Sequence, residues 1–364
     1  MKTIPVAAPQ MGEEEKKAVI AVLESGQLAQ GPVVEAFERE FAAWCGSRHA
    51  VAVNSGTAAL HLLMLAHGVG EGDELITSPF TFVASANAAL FVGARPVFVD
   101  IEPETYCLDP AKVEAAITSR TKAIMPVDLY GHPAQLEELR EIADRHGVAL
   151  IEDACQAHGA AIGGRKAGGM GMSATFSFYP TKNMTTAEGG MVTTDDAAVA
   201  EKVNVLRQHG AAHRYQHEVL GYNFRMTDIA GAIGRAQLAK LDRWNEMRRR
   251  NASVLDEGLA GTPGVTTPKE RPGYRHVYHQ YTVRIAGDRD RFRERLRELG
   301  IGTAIHYEVP VHRQPLYVTL GYGDVSMPEA EKAAAHVLSL PVHPALTDED
   351  LDRIVEAVRK VAAQ

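Results

Sequence analysis

The chain has 364 residues, of which 45% are hydrophobic and 23% are charged, and its formal net charge is -8. This length exceeds the size at which a single core keeps growing, so we expect one larger and one smaller domain. The acidic balance lacks the electrostatic footprint of a nucleic-acid-binding protein. No apolar run approaches the roughly 18 residues that a membrane span needs.

The cysteines and the N-terminal stretch both favour a cytoplasmic location. Cys45, Cys107 and Cys155 are scattered without the spacing of a disulfide framework or a zinc site, as is typical of a reducing compartment. The stretch MKTIPVAAPQMGEEEKK has no apolar core of the kind that signal peptides carry. We therefore expect a cytoplasmic protein with no metal site and no membrane partner.

The first two thirds of the chain predict an open α/β sheet. Two amphipathic helices come first, in EEEKKAVIAVLESG and VVEAFEREFAAWCG. Seven apolar, strand-like runs follow, mostly separated by helical patterns: HAVAVNS, DELITS, RPVFVD, KAIMPVDLYG, VALIED, ATFSFY and GGMVTT. Strands and helices that alternate at this spacing predict a mostly parallel, seven-stranded sheet flanked by helices.

The remaining part predicts a smaller α+β unit. A long helical pattern covers residues 228–258, and residues 262–273 are rich in Pro, Gly and Thr, as a linker would be. Beyond them YHQYTVRI, the helix DRDRFRERLRELG, IGTAIHYE and two more helices follow. We predict a large domain, with the N-terminal helices and the connector helix, at 1–258, and a small C-terminal domain at 259–364.

Lys182 is the first candidate for chemistry. It lies in FSFYPTKNMTTAEGG, a stretch of small, hydroxylic and glycine residues between two strand-like runs, which predicts a loop between strands. A lysine amine forms a Schiff base with a carbonyl or with pyridoxal 5′-phosphate (PLP) when its pKa is lowered. Taken alone, a lysine is more often an ordinary surface residue.

Two further strand ends strengthen this hypothesis. In NSGTAAL, Gly56 and Thr57 fall at the start of a helix, where free backbone N–H groups favour a phosphate. Asp153 ends the fifth strand and could hydrogen-bond the protonated nitrogen of a pyridine ring. Ser177, five residues before Lys182, could add a hydroxyl to the phosphate. Each feature alone could be a plain helix or turn cap, but their order on successive strand ends favours a PLP site.

The chain resembles the DegT-type (DegT/StrS-like) sugar aminotransferases, a family of the PLP-dependent aspartate aminotransferase-like superfamily. The similarity covers nearly the whole length and is carried by the following blocks: GPVVEAFEREFA, SGTAALHLLMLA, SPFTFVASANAALFVGARPVFVDIEPETYCLD, IEDACQAHGA, FSFYPTKN, EGGMVTT, GYNFRMTDIAGAIGRAQL and IHYEVPVHRQPLY. The resemblance implies the fold of the type I PLP enzymes and a homodimer with active sites at its interface.

The resemblance also implies roles for individual residues. Lys182 would hold PLP as a Schiff base and shuttle protons, and Asp153 would bind the pyridine nitrogen. The other cofactor contacts that it implies are Gln156 near O3′, Gly56, Thr57 and Ser177 at the phosphate, Phe82 stacked on the ring, and Asn223, which reaches the phosphate of the neighbouring subunit.

The family points to transamination from glutamate to a keto sugar. One branch replaces the lysine with histidine and dehydrates sugars, whereas this chain keeps Lys182. Many members carry glycine before the glutamate of the following segment, where this chain has Ala187 in TTAEGG. We expect this departure to be tolerated.

Substrate choice depends on the segment IGTAIHYEVPVHRQPLY, which resembles the stretch that borders the sugar in this family. Its form is closest to members acting on 3-keto nucleotide-linked sugars, and the candidate sugar or phosphate neighbours are His306, Tyr307, His312 and Gln314. These side chains could equally stabilise a loop. The alternatives are an aminotransferase acting on a cyclitol ketone, a PLP lyase and a non-catalytic PLP-binding regulator. A lyase of this kind would need a reactive cysteine, and only Cys155 lies near the motifs of the candidate site.

Overall fold

The computed structural model describes residues 3–213 and 215–364. Its helices and strands, in chain order, are α1 (Glu13–Ser25), α2 (Pro32–Cys45), β1 (His49–Val53), α3 (Gly56–Ala66), β2 (Glu74–Thr77), α4 (Ala84–Phe91), β3 (Arg95–Phe98), α5 (Pro110–Ala116), β4 (Thr121–Met125), α6 (Leu136–His146), β5 (Ala149–Asp153), β6 (Ala161–Ile162), β7 (Arg165–Lys166), β8 (Ser173–Ser177), β9 (Gly190–Thr194), α7 (Ala197–Arg207), β10 (Ala211–His213), β11 (Gln216–His217), α8 (Asp228–Leu259), β12 (Val265–Thr266), β13 (Tyr274–Arg275), β14 (Tyr281–Ile285), α9 (Arg289–Glu298), α10 (Pro315–Tyr317), α11 (Pro328–His336), β15 (Val337–Leu340) and α12 (Asp348–Ala362). Within these described residues, no helix combines the length and the apolar character that crossing a membrane requires.

The centre of the molecule is a seven-stranded sheet in the order β1-β9-β8-β5-β4-β2-β3. Strands β3, β2, β4, β5 and β8 are mutually parallel, and β9 runs antiparallel to both β8 and β1. All seven predicted runs form this sheet, so the predicted mostly parallel α/β fold is confirmed.

Helices cover both faces of the sheet because its strands are apolar on both sides. Along β4, Ala123 and Met125 belong to one buried cluster and Ile124 to another, as expected when successive side chains point to opposite faces. The first cluster includes Leu62 of α3, and the second includes Leu139 of α6. A sheet buried in this way leaves its strand ends as the accessible edge.

Three strand ends come together at one edge. Strands β5 and β8 are neighbours, and β9 alone separates β8 from β1, which runs in the same direction as β8. The chain therefore leaves the sheet at this edge after Val53, Asp153 and Ser177. The residues predicted to bind a cofactor follow or include these positions.

Helix α8 links the two parts of the chain. It begins after the N-cap residue Thr227, whose hydroxyl accepts a hydrogen bond from the Ala230 N–H at 3.2 Å, and it runs to Leu259. The prediction of a helix over 228–258 is therefore confirmed to within one residue. Leu255 and Leu259 at its end lie in the C-terminal core. The domain limits at 1–258 and 259–364 stay a prediction.

The C-terminal sheet departs from the prediction in two strands. It consists of β12, β14 and β15, and the pattern missed β15 and also β12, which lies in the stretch 262–273 predicted as a linker. The run IGTAIHYE instead forms isolated bridges, from Ile301 to Ile4 and from Ala304 to Ser339. After Ala304 the chain enters a turn at residues 306–307, and His306 lines a cavity.

Candidate active site

Lys182 lies in a fixed loop between the adjacent antiparallel strands β8 and β9. The Thr185 hydroxyl donates to the Phe178 carbonyl at 2.8 Å, and the Thr186 N–H donates to the same carbonyl at 3.0 Å. The Lys182 N–H donates to the Tyr179 carbonyl at 2.9 Å. These contacts hold the lysine backbone at the edge of the sheet, as the loop prediction requires.

The Lys182 side chain is half-buried and lines a cavity of about 550 Å³. Burial lowers the pKa of its amine, and the nearby Cys155 and Asp153 oppose this shift. A lowered pKa increases the fraction of neutral amine, which is the nucleophilic form. The environment of Lys182 thus suits Schiff-base chemistry.

Asp153 is the last residue of β5, and 4% of it is exposed. Its carboxylate is held by two donors, the Ser85 hydroxyl at 2.7 Å and the Cys155 N–H at 3.2 Å. Two donors from separate segments fix the direction of the carboxylate in the cavity wall. Ser85, on α4, also lines the cavity, and the sequence reasoning missed it although it follows Phe82 by one helical turn.

The start of α3 lies at one end of the cavity. Ser55 caps this helix, and its hydroxyl accepts from the Ala58 N–H at 3.1 Å. The N–H groups of Gly56 and Thr57 belong to the first turn and have no intrahelical acceptor. A Cβ on Gly56 would lie 2.8 Å from the Ser177 Cβ, so glycine is required for this close approach. Helix dipole, free N–H groups and a hydroxyl together suit a phosphate.

Gln156 joins two walls of the cavity. Its Oε1 accepts from the Tyr130 N–H at 2.8 Å, and its Nε2 donates to the Tyr307 hydroxyl at 3.0 Å. The Tyr130 hydroxyl donates to the carbonyl of His306. The segment that carries His306 and Tyr307 is thereby fixed against the large sheet.

Phe82 presents its ring to the cavity rather than to the core. It is 57% exposed, and its ring centroid lies 6.3 Å from that of Tyr307. An apolar helix-forming stretch would ordinarily bury this side chain. Its exposure at a cavity leaves an aromatic face available for stacking.

Three histidines near Lys182 are kept neutral. Burial and the charge of Lys182 lower the pKa of His306 to about 4 and that of His158 to about 3. The same two causes lower the pKa of His279 well below its usual value. His279 lines the cavity but was missed, because YHQYTVRI predicts only a strand.

The structure brings nine of the predicted site residues to this one cavity: Gly56, Thr57, Phe82, Asp153, Gln156, Ser177, Lys182, His306 and Tyr307. Asn223, His312 and Gln314 do not line it. His312 is buried beside Glu331, with its Nε2 at 3.0 Å from the carboxylate, and the Gln314 amide donates to the Val309 carbonyl at 3.1 Å. His312 and Gln314 therefore hydrogen-bond within their own chain, and their contacts with a sugar stay a prediction.

The charge of the cavity wall is low for a site that takes anions. Among the described residues that line it, the charged side chains are Asp153, Glu188 and Lys182, with no arginine. Arginine and lysine are the side chains that bind carboxylate and phosphate groups most strongly, and Lys182 is the one residue of these types in this described lining.

Comparison with known proteins identifies the family. A model described as the DegT/DnrJ/EryC1/StrS aminotransferase family matches residues 9–359. The chain is 45% identical over 352 residues to the "Pleiotropic regulatory protein" of Geobacillus stearothermophilus, covering 96% of this chain and 94% of that protein. It is 44% identical over 360 residues to the dTDP-3-amino-3,4,6-trideoxy-alpha-D-glucose transaminase of Streptomyces venezuelae, covering 99% and 95% respectively.

Solved structures agree with the sequence matches. The X-ray structure of S. venezuelae DesV in complex with a ketimine intermediate matches with a TM-score of 0.94 and 45% identity, over 96% of this chain and 95% of that one. The predicted family, the aminotransferase activity and the PLP cofactor are confirmed. The chain belongs to the DegT/DnrJ/EryC1/StrS family of PLP-dependent aminotransferases.

Proposed function

We propose that this aminotransferase moves the amino group of glutamate to the keto group of a nucleotide-linked deoxysugar, with a 3-keto sugar as the preferred acceptor. The observation that carries the proposal is the convergence of Lys182, Asp153 and the α3 N-terminus on one cavity of about 550 Å³. The name of the S. venezuelae relative, a transaminase of a dTDP-linked 3-amino sugar, supports the choice of acceptor.

The residues present fit PLP. The donors at Gly56, Thr57 and Ser177 would hold its phosphate, and the lack of a side chain on Gly56 lets the start of the helix lie close to the Ser177 side chain. Asp153 would bind the ring nitrogen, and Lys182 would hold the aldehyde carbon. When bound, PLP supplies an electron sink for negative charge that develops on the substrate carbon.

Lys182 would be the general base and acid. Its lowered pKa leaves part of the amine neutral, so its Nζ can take the proton from the amino-bearing carbon of glutamate. The same Nζ would deliver that proton to the former aldehyde carbon of the cofactor. In the second half-reaction, with the keto sugar bound, Nζ would move a proton in the opposite direction. Asp153, fixed by Ser85, would keep its carboxylate directed at the ring nitrogen throughout.

The acceptor would lie against the wall that the C-terminal unit contributes. His306 stays neutral above about pH 4, and burial of its ring raises the pKa of the half-buried Tyr307, so both are uncharged hydrogen-bonding groups at neutral pH. Uncharged donors and acceptors suit sugar hydroxyls. The Gln156 amide would hold Tyr307 in place for this contact.

A second copy of the chain would complete the site. Among the described residues that line the cavity, Lys182 is the one cation, whereas the proposed substrates and the cofactor are anions. Asn223 is exposed and lies outside the cavity of its own chain, beside Arg225. We therefore assign Asn223 to the phosphate site of the partner in a homodimer, as the family resemblance implies.

The cytoplasm is the proposed location, without nucleic-acid or membrane partners. Support comes from the three free cysteines, two of which are buried, and from the acidic net charge of -8.

The test uses the purified protein with PLP and glutamate. We expect visible absorbance that glutamate bleaches, and formation of 2-oxoglutarate when nucleotide-linked 3-keto or 4-keto sugars are supplied. Lys182→Ala should lose both responses. A wild-type protein that binds no PLP at saturating concentration would refute the proposal, and turnover of scyllo-inosose alone would replace the nucleotide sugar by a cyclitol.

A further inference from the structure

Helix α8 carries buried polar side chains on the side that packs against the loop of Lys182 and against the C-terminal unit. Those that hydrogen-bond loop backbone or loop side chains are Gln237, Asn245, Arg248 and Asn251, and each is at most 6% exposed. Burying an amide or a guanidinium is costly unless its hydrogen bonds are made. Their partners therefore show what this helix holds in place.

Asn245 is the residue of this group that joins two loops of the active site. Its Oδ1 accepts from the Nδ2 of Asn183, the residue after Lys182, at 2.8 Å. Its Nδ2 donates to the His158 carbonyl at 2.7 Å. His158 lies in the loop that begins at the end of β5. One side chain thus spans the lysine loop and the loop that follows Asp153.

The hydrogen-bonded pair Asn183 and Asn245, called the node below, also contacts a third segment of the cavity wall. The Asn183 Nδ2 also donates to the Val277 carbonyl at 3.1 Å, two residues before His279. The packing around the node is tight, since a Cβ on Gly159 would lie 2.7 Å from the Asn245 Nδ2.

We infer that Asn245 is a positioning residue for Lys182, acting through Asn183 to hold the lysine loop at a set distance from the loop after Asp153. The inference rests on the proposed role of Lys182 as base. Proton transfer requires heavy atoms within hydrogen-bond reach, and a displacement of about 1 Å costs on the order of 100-fold in rate. Loss of the node would release the lysine loop without removing a group that touches the substrate.

Asn251 provides a matched control on the same helix. It is an asparagine with the same exposure as Asn245, 2%, and its Nδ2 donates to the Val342 and His343 carbonyls at 3.3 and 3.1 Å. Neither of these carbonyls belongs to a residue that lines the cavity. Asn245→Ala and Asn251→Ala should therefore lower the melting temperature by similar amounts, while their effects on catalysis should differ.

The experiment compares the wild type with these two variants in three measurements. Steady-state rates should show a kcat about 10- to 100-fold lower in Asn245→Ala, with little change in the KM for glutamate, and a near wild-type kcat in Asn251→Ala. Acetylation of the PLP-free protein, followed by mass spectrometry of the Lys182 peptide, should be several-fold faster in Asn245→Ala only. Melting temperatures report the stability that both variants lose.

The outcomes separate the inference from the proposed function. Equal kcat and equal labelling in the two variants would overturn the role of Asn245. If Asn245→Ala does not fold, Asn183→Ala removes the same hydrogen bond from the other side, and a wild-type kcat in that variant would overturn the inference instead. An active Lys182→Ala protein would refute the proposed function itself. If Lys182→Ala is inactive but Asn245→Ala keeps the wild-type kcat, only the inference about Asn245 is refuted.

Discussion

Ala187 occupies a backbone conformation that alanine adopts at a cost. Its φ is +69°, in the left-handed region, and its N–H donates to the Thr185 hydroxyl at 3.0 Å. The next residue, Glu188, lines the cavity, and its carbonyl accepts from the Thr186 hydroxyl at 2.7 Å. The family resemblance leads us to expect glycine at this position, and the positive φ explains why. We predict that Ala187→Gly stabilises the protein.

Two opposing effects set the size of this gain. The left-handed conformation costs a residue with a Cβ about 1–2 kcal/mol, which glycine would recover. Glycine also gives the unfolded chain more freedom, which costs about 0.4–1 kcal/mol. The net gain is about 0.5–1 kcal/mol. For 364 residues the unfolding entropy is about 0.8 kcal/mol/K, so the melting temperature should rise by about 1 °C.

The matched control is Ala260→Gly. Ala260 is also exposed and lies outside a helix interior, but its φ of -54° suits alanine. Glycine there should change only the freedom of the unfolded chain and lower the free energy of unfolding by about 0.4–1 kcal/mol. Calorimetry and urea titration of both variants decide the matter. A loss of stability in Ala187→Gly equal to that in Ala260→Gly would refute the account of strain at Ala187.

Three other substitutions test the site. Gly56→Ala puts a Cβ 2.8 Å from that of Ser177 and should weaken PLP binding by about 10- to 100-fold in a titration of the PLP-free protein; unchanged affinity would contradict the close approach. Ser85→Ala removes a hydrogen bond to the Asp153 carboxylate and should lower kcat/KM for glutamate by about 10- to 100-fold, so a wild-type value would show that the carboxylate needs no such donor. Burial lowers the pKa of His158 to about 3, so below about pH 6.5 the unfolded chain binds a proton that the folded chain does not. The free energy of unfolding therefore decreases as the pH is lowered. When the pH is lowered from 7.5 to 5, the free energy of unfolding measured with urea should decrease by about 2 kcal/mol less in His158→Phe than in the wild type. Equal decreases in the two proteins would contradict a neutral His158.

The parts of the site that the sequence could predict are those fixed by the topology of the sheet. Lys182 and Asp153 follow or end apolar runs, and parallel strands bring such positions to one edge whatever the loops do. Gly56 begins a helix that a strand precedes, so its role followed from the same rule. The positions of these residues in the fold depend on the order of the strands rather than on side-chain packing.

The parts that the sequence could not predict depend on contacts between distant segments. Ser85 reaches Asp153 across 68 positions of the chain, and Asn183 reaches Asn245 across 62. No local pattern marks such pairs. The strand β15 was missed for a similar reason, since four buried residues after a helix, VLSL, become a strand only through pairing with β14.

The site carries backbone strain that the rest of the fold must hold. Tyr130, Ala187 and Tyr278 all have positive φ, +60°, +69° and +45°, and each lies beside or bonds a group of the cavity wall. Such conformations cost about 1–3 kcal/mol each and persist only when their surroundings determine them. The surroundings are visible: the Tyr130 N–H donates to Gln156, and Arg248 of α8 donates to the Tyr278 carbonyl at 3.2 Å. Because α8 also holds the lysine loop, relaxing the helix should loosen several walls of the cavity together. We therefore expect the catalytic geometry to depend on a helix that does not itself line the cavity of about 550 Å³.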